Sequence, residues 1–286
     1  MPAGEPPSVP VGDLLRFVEE DAPSGDLTSA ALAPLGRCRA EIRAKAAGVV
    51  AGVAEASALF AHYGISVVPA LADGDACLPG SLVMVLEGEA EGILLVERTA
   101  LNILSRMSGI ATATRAMVLA VSKVRPTLRI AATRKTCPGM RELDKKAVVI
   151  GGGEAHRAGL SDMILIKDNH LKLVPLEEAV RRARARAPSG RIEVEVSSAG
   201  EAIRAAEAGA GIVMFDNMDP ASIGEAIREL GSRGLRRRVL LEASGGIGPA
   251  NLAEYASLDL DRVSVGALTH SVHGLDLSLE IVSRTA

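Results

Sequence analysis

The sequence contains very few aromatic residues, which make up 2% of its 286 residues and include no tryptophan. Proteins that bind single-stranded nucleic acid stack the bases on aromatic side chains, so the shortage argues against that class. The charge balance points the same way, because 32 Lys plus Arg face 35 Asp plus Glu and give a formal net charge of -3. No strong positive field attracts nucleic acid or an anionic membrane. Any anionic ligand must be held by local groups.

Cysteine and long hydrophobic runs are also scarce. Cys38, Cys77 and Cys137 are far apart and form no CxxC pair, so neither a disulfide framework nor a zinc site is predicted, and a cytoplasmic location is expected. The first ten residues lack the basic stretch and apolar core of a signal peptide, and the aliphatic runs are too short to cross a membrane. The hydrophobic content of 48% predicts a large core, which a chain of this length divides between two domains.

The first part of the chain has the pattern of an α+β domain. A helical pattern at 11–20 is followed by strand-like runs at 39–52 and 82–90, with Gly and Pro between them. From 92 to 124 apolar residues recur every three or four positions, which predicts a helix that links two domains. Gly109 is predicted to break this helix.

After Pro126 short aliphatic strands alternate with helices, which indicates parallel βα units. The candidate strands are 128–133, 163–167, 192–196, 211–216, 239–244 and 262–267. Polar groups follow nearly every strand, as in α/β barrels that bind ligands at the carboxyl ends of their strands, so a barrel is favoured over an open doubly wound sheet. The predicted fold class is α/β, with an N-terminal α+β sandwich-like domain (1–115) and a C-terminal incomplete, open α/β barrel (116–286). Residues from about 270 to 286 are predicted to pack back on the first domain.

The densest set of cationic groups lies between residues 133 and 170. Its members are Arg134, Lys135, His156, Arg157 and Lys167. The planar fork of arginine binds a carboxylate through two parallel bonds, and lysine supplies a compact point charge. Each cation taken singly is explained as a surface residue, but the set at strand ends predicts a site for a ligand with several negative charges. The run at 236–238 is predicted to be a surface loop.

Two carboxylates, Glu195 and Asp216, end apolar strands, where an unpaired charge is costly. Each either forms an ion pair with a neighbouring Lys or Arg or holds ribose hydroxyls and magnesium, and strand position favours the second reading. The small-residue turns at 242–248 and 264–270 predict phosphate binding, with simple tight turns as the alternative. No P-loop motif is present. Cys137 has no neighbouring base and is not expected to be catalytic.

Ten short motifs follow one another in an order typical of one protein family. They are GDLTS (25–29), AKAAGVVAG (44–52), ERTALNILSRMSGIAT (97–112), TRKTCPGMRELDKKAV (133–148), GGGEAHRAGL (151–160), IKDNH (166–170), EVEV (193–196), FDNM (215–218), EASGG (242–246) and SVGALTHS (264–271). With these motifs the chain resembles the quinolinate phosphoribosyltransferase family, also called carboxylating nicotinate-nucleotide pyrophosphorylases. No single motif has this specificity; their number and order do.

The resemblance implies a transferase of NAD biosynthesis that converts quinolinate and phosphoribosyl pyrophosphate into nicotinate mononucleotide, carbon dioxide and pyrophosphate. It also implies Mg²⁺ and a homodimer with shared active sites, or a hexamer, and no nucleic acid or membrane partner. By motif match, quinolinate would be bound by Thr133, Arg134, His156, Arg157 and Lys167, and by Arg98 reaching from the neighbouring subunit. The phosphoribosyl pyrophosphate would be bound by the catalytic candidates Lys135, Glu195 and Asp216 and by the turns of Ser244, Gly245, Gly246, Val265, Gly266 and Ala267. Of these, Glu195 and Asp216 would hold magnesium, directly or through water or substrate.

Two alternatives remain open at this point. A molybdenum-transport-associated paralogue shares the implied fold but takes a different acceptor, and a non-catalytic phosphate-binding barrel would sense a metabolite. The complete cationic set and the motif at 166–170 favour quinolinate. Glu195 and Asp216 argue against a sensor, which has no need of a magnesium diphosphate site.

Overall fold

The computed structural model describes residues 9–187 and 191–285. The strands in these ranges are β1 (Arg37–Ala44), β2 (Gly48–Val49), β3 (Ser66–Pro69), β4 (Ala76–Cys77), β5 (Leu82–Glu89), β6 (Arg129–Ala131), β7 (Ile164–Ile166), β8 (Ile192–Val196), β9 (Ile212–Asp216), β10 (Leu240–Ser244), β11 (Arg262–Ser264) and β12 (Leu277–Arg284). The helices are α1 (Val11–Asp21), α2 (Leu27–Leu32), α3 (Val53–His62), α4 (Ala90–Ser122), α5 (Arg141–Ile150), α6 (Asp168–Leu171), α7 (Leu176–Arg186), α8 (Ala199–Glu207), α9 (Pro220–Ser232), α10 (Leu252–Ala256) and α11 (Ala267–His270). The helices and strands expected from the sequence are present with ends shifted by a few residues, except that the run predicted at 39–52 consists of two strands, β1 and β2.

The chain divides into two compact units. Of the described residues, the first unit takes those up to Arg115, the segment Pro138–Gly152 and those from Val272 onwards. The second unit takes Ala116–Cys137 and Gly153–Ser271. The range predicted for the barrel domain, 116–286, therefore also covers two segments that cluster with the first unit.

The first unit is built on a four-stranded antiparallel sheet with the order β12-β1-β5-β3. In β1 the residues alternate between buried and more accessible positions, and Ala40 and Ile42 are fully buried. This period of two is what a strand with one face on a hydrophobic core requires. β2 and β4 form a separate antiparallel pair. The unit is therefore an α+β domain, in agreement with the predicted class.

The prediction that Gly109 breaks the long helix is wrong, because α4 continues through it. Its glycine is explained by close packing within the first unit: a Cβ at position 109 would lie 2.1 Å from the carbonyl oxygen of His273. Glycine is accepted inside a helix at a cost of about 1 kcal/mol relative to alanine, and close backbone approach compensates for it. The residue therefore allows the segment before β12 to touch the helix.

Helix α5 carries charged side chains that are buried inside the first unit. Asp144 is fully buried and accepts two hydrogen bonds, of 2.7 and 2.8 Å, from the guanidinium of Arg106. Lys146 donates to Glu55 at 2.6 Å, and both of these side chains are at least nine-tenths buried. A buried charge is tolerated when it is paired and hydrogen-bonded in this way. The charged sequence of α5 is thus an internal contact surface.

The second unit is built on a six-stranded parallel sheet with the order β6-β11-β10-β9-β8-β7. Strands that follow one another in sequence are neighbours in the sheet, except that β6 and β7 lie at its two ends. This is the strand order of a βα barrel opened between its first and second strands. The predicted incomplete, open barrel is confirmed. Glu154 lies beside the outer edge of β6, where it forms a single parallel bridge to Ala131.

Two further observations on the described residues concern the arginine run at 236–238 and the apolar character of the helices. The prediction of a surface loop at Arg236–Arg238 is wrong in part, because these residues form a short 3-10 helix and Arg236 pairs with Asp259 at 2.8 Å and Asp261 at 3.1 Å. Among the described residues, no helix combines the length and the apolar character needed to cross a membrane.

Candidate active site

A cavity of about 440 Å³ opens at the carboxyl ends of the barrel strands, within the second unit. Its lining comes from strands β7 to β11 of the parallel sheet and from segments that follow the strands, including the segment after β6. The polar lining residues are Thr133, Arg134, Lys135, His156, Arg157, Lys167, Asp168, Glu195, Asp216, Asn217, Ser244 and Ser264, and the apolar ones are Ala132, Leu165 and Met214. The volume lies in the range of small-molecule sites, which is about 300–1,000 Å³.

The cavity lining includes cationic groups that have no carboxylate partner. Among the described residues, no carboxylate lies within 4.0 Å of the charged atoms of Arg134, Lys135 or Arg157. The Nε of Arg134 is buried and has no hydrogen-bond partner in the described chain. Burial and then the positive charge of Arg134 lower the pKa of Arg157, against the opposing charges of more distant carboxylates. Unpaired buried donors beside a second cation favour binding of an anion.

Lys135 is held at the cavity by contacts of its backbone and of its aliphatic chain. Its N–H donates to Thr133 Oγ1 at 3.1 Å, and its carbonyl accepts a hydrogen bond of 2.8 Å from Thr269 Oγ1. A Cβ at Gly266 would lie 3.1 Å from Lys135 Cδ, so the lysine stem passes close to this glycine. Gly266 therefore has a packing role beside Lys135.

His156 forms a buried cluster with two glutamates at the base of the cavity. Its Nε2 lies 3.4 Å from Glu242 Oε1 and 3.5 Å from Glu193 Oε2. The Arg157 N–H lies 2.8 Å from Nδ1, which accepts it only while the ring is neutral; Nε2 then carries the hydrogen and faces the two carboxylates. Burial lowers the pKa of His156, but the two glutamates outweigh burial and raise the pKa to about 9.

The two glutamates of this cluster differ in their surroundings. Burial opposes ionisation of Glu242, but His156, Arg262 and Ser264 outweigh it and lower its pKa. Arg262 donates to Glu242 Oε2 at 2.9 Å, and Ser264 Oγ donates to Oε1 at 2.5 Å. Glu193 has no hydrogen-bond partner for either oxygen in the described chain, and burial raises its pKa. Glu242 therefore carries the charge and Glu193 favours the protonated form.

We expect Glu242→Gln to lower the free energy of unfolding by about 1–3 kcal/mol, because it removes the buried anionic partner of Arg262 and leaves only the more exposed Glu154. Urea unfolding followed by circular dichroism measures this loss. Glu254→Gln is the matched control, since Glu254 is exposed on α10 and its substitution should change stability by less than about 0.5 kcal/mol. Equal stability of the two variants would contradict the buried network.

The carboxylates Glu195 and Asp216 have different partners. Glu195 is largely buried and forms a short ion pair with Lys167, so the first of the two readings left open by the sequence, a neighbouring ion pair, is present at Glu195. Asp216 has no cation within 4.0 Å among the described residues, and its Oδ2 accepts a hydrogen bond of 2.9 Å from Asn217 Nδ2. Asp216 is therefore the carboxylate that is less committed to a protein partner.

The donor set at the cavity is compatible with magnesium only if substrate supplies part of the coordination. Carboxylate oxygens suit Mg²⁺, which commonly keeps waters and shares substrate phosphates. In the described chain, His156, Glu193 and Glu242 are the one group of three or more ligand atoms close enough to hold a metal, and Glu195 and Asp216 belong to no such group. Of the two predicted ligands, Asp216 can contribute an oxygen to a cation that arrives with a diphosphate, whereas Glu195 is already paired with Lys167.

Some residues predicted for the site are not part of the cavity lining. Arg98 belongs to the first unit, where it is exposed on α4. The turn residues that do not contribute to the lining are Gly245, Gly246, Val265, Gly266 and Ala267, although Ser244 does. Their ligand-binding roles stay predictions.

Sequence reasoning did not select several residues that surround the cavity. Glu193 precedes Glu195 by two positions in a fully buried strand, so the period of a strand already places both on one face. Asn217 and Asp168 lie inside quoted motifs, but nothing local marks them as cavity residues. Leu165 and Met214 form an apolar part of the lining that only the fold reveals.

The fold and the cavity together define a class: an open α/β barrel with a site for small anionic molecules at the carboxyl ends of its strands. Residues 26–108 match the family description "Quinolinate phosphoribosyl transferase, N-terminal domain", and residues 110–280 match "Quinolinate phosphoribosyl transferase, C-terminal domain". The chain belongs to the quinolinate phosphoribosyltransferase family.

Individual relatives agree with this membership. A probable carboxylating nicotinate-nucleotide pyrophosphorylase of Methanothermobacter thermautotrophicus is 47% identical over 273 residues, which are 94% of this chain and 98% of the relative. The human carboxylating nicotinate-nucleotide pyrophosphorylase is 37% identical over 270 residues, 94% and 90% of the two chains. The crystal structure of NadC from Streptococcus pyogenes is similar with a TM-score of 0.88 and 36% identity, covering 96% of each chain.

Proposed function

We propose that this protein is a decarboxylating phosphoribosyltransferase that joins quinolinate to phosphoribosyl pyrophosphate and forms nicotinate mononucleotide, carbon dioxide and pyrophosphate. The observation that carries the proposal is the group of unpaired cations, Arg134, Lys135 and Arg157, in one cavity with the carboxylate of Asp216. A dicarboxylate needs several fixed cationic donors, and a ribosyl diphosphate needs a cation-binding carboxylate nearby. The carboxylating relatives and the family membership point to the same reaction.

One set of cavity residues would bind the acceptor. The guanidinium groups of Arg134 and Arg157 would grip the carboxylates of quinolinate, with Thr133 and His156 beside them. Lys167 shares its charge with Glu195 and would contribute at the edge of the acceptor. Leu165 and Met214 offer an apolar surface for the pyridine ring. This arrangement would place the ring nitrogen close to the anomeric carbon of the ribose, and such positioning is a major source of catalysis.

A second set of cavity residues, Lys135, Glu195 and Asp216, would bind the ribosyl diphosphate. Lys135 would stabilise the negative charge that develops when the bond between the anomeric carbon and pyrophosphate breaks. Asp216 would hold magnesium or ribose hydroxyls, and Glu195 would contribute through Lys167. Magnesium bound with the substrate would supply further neutralisation of the departing pyrophosphate. The ring nitrogen then forms the new bond to carbon.

Decarboxylation follows from the charge of the product of that step. Once the pyridine nitrogen is quaternary, the positive ring stabilises the electron pair left on carbon 2 when its carboxylate departs as carbon dioxide. A proton then takes the place of that carboxylate. No side chain has to form a covalent bond to the substrate, and Cys137 is not expected to be catalytic.

A competition assay tests the proposal directly. Quinolinate, nicotinate and nicotinamide are offered together as acceptors, and labelled carbon dioxide and mononucleotide products are measured. We expect one carbon dioxide for each nicotinate mononucleotide, with quinolinate used in preference. Transfer to nicotinate without release of carbon dioxide, or no transfer to any of the three, would refute the proposed reaction. A cytoplasmic location stays a prediction from cysteine usage.

The family resemblance also leads us to propose a homodimer with active sites shared between subunits. Arg98 is exposed on α4 and has no carboxylate within 4.0 Å among the described residues, so it is available to a neighbouring subunit. The Arg98→Ala and Lys167→Ala proteins are expected to be inactive alone. When they are mixed and exchange subunits, half of the dimers contain one subunit of each kind, and each such dimer has one intact site. We therefore expect recovery of up to about a quarter of wild-type activity. Absence of recovery after exchange verified by mass spectrometry would contradict a role of Arg98 across the interface.

A further inference from the structure

Two non-glycine residues of the described chain have a left-handed backbone, and both line the cavity. They are His156 and Asn217, each with φ of 54°. This conformation is disfavoured for residues with a side chain, although asparagine tolerates it better than most. Where surrounding structure enforces it, strain of this kind tends to occur at functional sites. The resemblance gives His156 a role and gives Asn217 none.

The backbone around Asn217 is fixed by hydrogen bonds from neighbouring segments. The Asn217 N–H donates to the carbonyl of Ser244 at 2.8 Å, at the end of the adjacent strand β10. The carbonyl of Met218 accepts a hydrogen bond of 3.2 Å from the Tyr255 hydroxyl, and Asp219 caps α9 by accepting the Ser222 N–H at 3.0 Å. The turn after β9 is therefore held at three successive residues.

The side chain of Asn217 connects this rigid turn to Asp216. Its Nδ2 donates to Asp216 Oδ2 at 2.9 Å, and Oδ1 of Asp216 accepts no hydrogen bond within the described part of the chain. An amide that occupies one carboxylate oxygen restricts rotation of the carboxylate and leaves the other oxygen available to a ligand. Asn217 thus determines how Asp216 is presented.

Gly245 provides the space that the Asn217 amide requires. Gly245 has φ of 98°, and a Cβ at this position would lie 2.2 Å from Asn217 Oδ1 and 2.8 Å from Asn217 N. Ser244 and Asp216 are register partners on adjacent strands, so the two turns begin side by side. Any side chain at position 245 would displace the Asn217 amide. This contact explains the glycine without the phosphate-binding role predicted for the turn.

We propose that Asn217 is a positioning residue that orients the Asp216 carboxylate toward the magnesium-bound diphosphate or the ribose hydroxyls, and that Gly245 is needed to admit its amide. This inference rests on the proposed function, because the ligand is the one proposed for that site. It concerns a residue that acts through Asp216 and does not itself have to touch the substrate.

Asn217→Gly tests the role of the amide while keeping a residue suited to the left-handed backbone. We expect the Kd for phosphoribosyl pyrophosphate with Mg²⁺, measured by calorimetry, and its KM to rise about tenfold, which corresponds to a hydrogen bond worth about 1.4 kcal/mol. The KM for quinolinate should change less than twofold, and the free energy of unfolding should change little, because relief of the backbone strain offsets the greater freedom that glycine gives the unfolded chain. Wild-type affinity in this variant would overturn the inference, as would an equal loss for both substrates accompanied by lower stability.

A double-mutant cycle tests the contact with Gly245. Gly245→Ala should weaken binding of the magnesium complex about tenfold in the wild-type background and by a clearly smaller factor in the Asn217→Gly background, where the clash with the amide is gone and only that with the backbone N of residue 217 remains. Gly209→Ala is the matched control: Gly209 has φ of 96°, lies outside the cavity lining, and a Cβ there would meet no atom within 4 Å. Additive effects of the two substitutions would overturn the proposed contact.

These readouts separate the inference from the proposed function. If the wild-type protein binds the magnesium complex and the variants bind it equally well, the positioning role fails and the proposed reaction is untouched. If the wild-type protein forms no nicotinate mononucleotide but the binding cycle behaves as expected, the proposed reaction fails and Asn217 still positions Asp216. Failure of the wild-type protein to bind the magnesium complex would overturn both.

Discussion

Lys135→Ala is expected to lower kcat at least about 10²–10³-fold, the loss typical when one preorganised group that stabilises transition-state charge is removed. The lysine is exposed at the cavity and has no carboxylate within 4.0 Å in the described chain, so its charge is available to the leaving pyrophosphate. Folding should be unaffected, because the Thr133 and Thr269 contacts involve only the backbone of residue 135. Steady-state kinetics and thermal unfolding measure the two effects.

Two further variants make the Lys135 result specific. Lys135→Arg keeps a cation and should recover part of the lost activity, though not all of it, because the guanidinium is planar and larger than the ammonium. Lys123→Ala removes an exposed lysine of the same unit outside the cavity and should leave kcat unchanged. Near-normal turnover of Lys135→Ala would refute its predicted role.

Arg134→Ala is expected to raise the KM for quinolinate about 10–100-fold while stability stays the same or increases. A hydrogen bond to a charged group contributes about 1.5–3 kcal/mol, which accounts for the loss of affinity. Stability should not fall, because the buried Nε of Arg134 has no partner in the described chain and its charge opposes that of Arg157. A group kept for binding at the expense of stability behaves in this way.

The geometry of arginine supplies the control for this second prediction. Arg134→Lys retains charge but loses the fork, so it should recover only part of the affinity for a dicarboxylate. Arg182→Ala removes an exposed arginine on α7. It should leave the KM for quinolinate unchanged and change the free energy of unfolding by no more than about 0.5 kcal/mol. If Arg134→Ala lost stability and kept its KM for quinolinate, Arg134 would be a structural residue.

Much of the barrel could be predicted because its strands are short apolar runs with polar ends. The expected strand at 192–196 is β8 residue for residue, and the cations at 134, 135, 156, 157 and 167 all line one cavity. The local pattern is reliable here because parallel strands bring their carboxyl ends to the same edge of the sheet. The misreading of Gly109 has the opposite origin. Judged from the local sequence alone, a glycine in a helical pattern indicates a break. Gly109 is instead required because the backbone of His273 in the first unit packs against the helix at this position.

The charged helix α5 shows why other features could not be predicted. Its sequence, RELDKKAVVI, reads as an exposed amphipathic helix, yet Asp144 and Lys146 are buried. Their partners are Arg106 and Glu55, which are 38 and 91 residues away in sequence. Burial of a charge depends on such a partner, and sequence spacing does not indicate which one will be adjacent.

The sequence by itself determined the class of fold, the family and the end of the sheet at which the cations gather, because periodicity and motif order are local properties of the chain. Only the tertiary structure decided the partners: Glu195 with Lys167, Glu242 with Arg262, and Asp216 with Asn217 beside Gly245. Most of these contacts join residues on different strands or their turns. Their distances depend on strand register and turn conformation, which packing of the whole barrel sets.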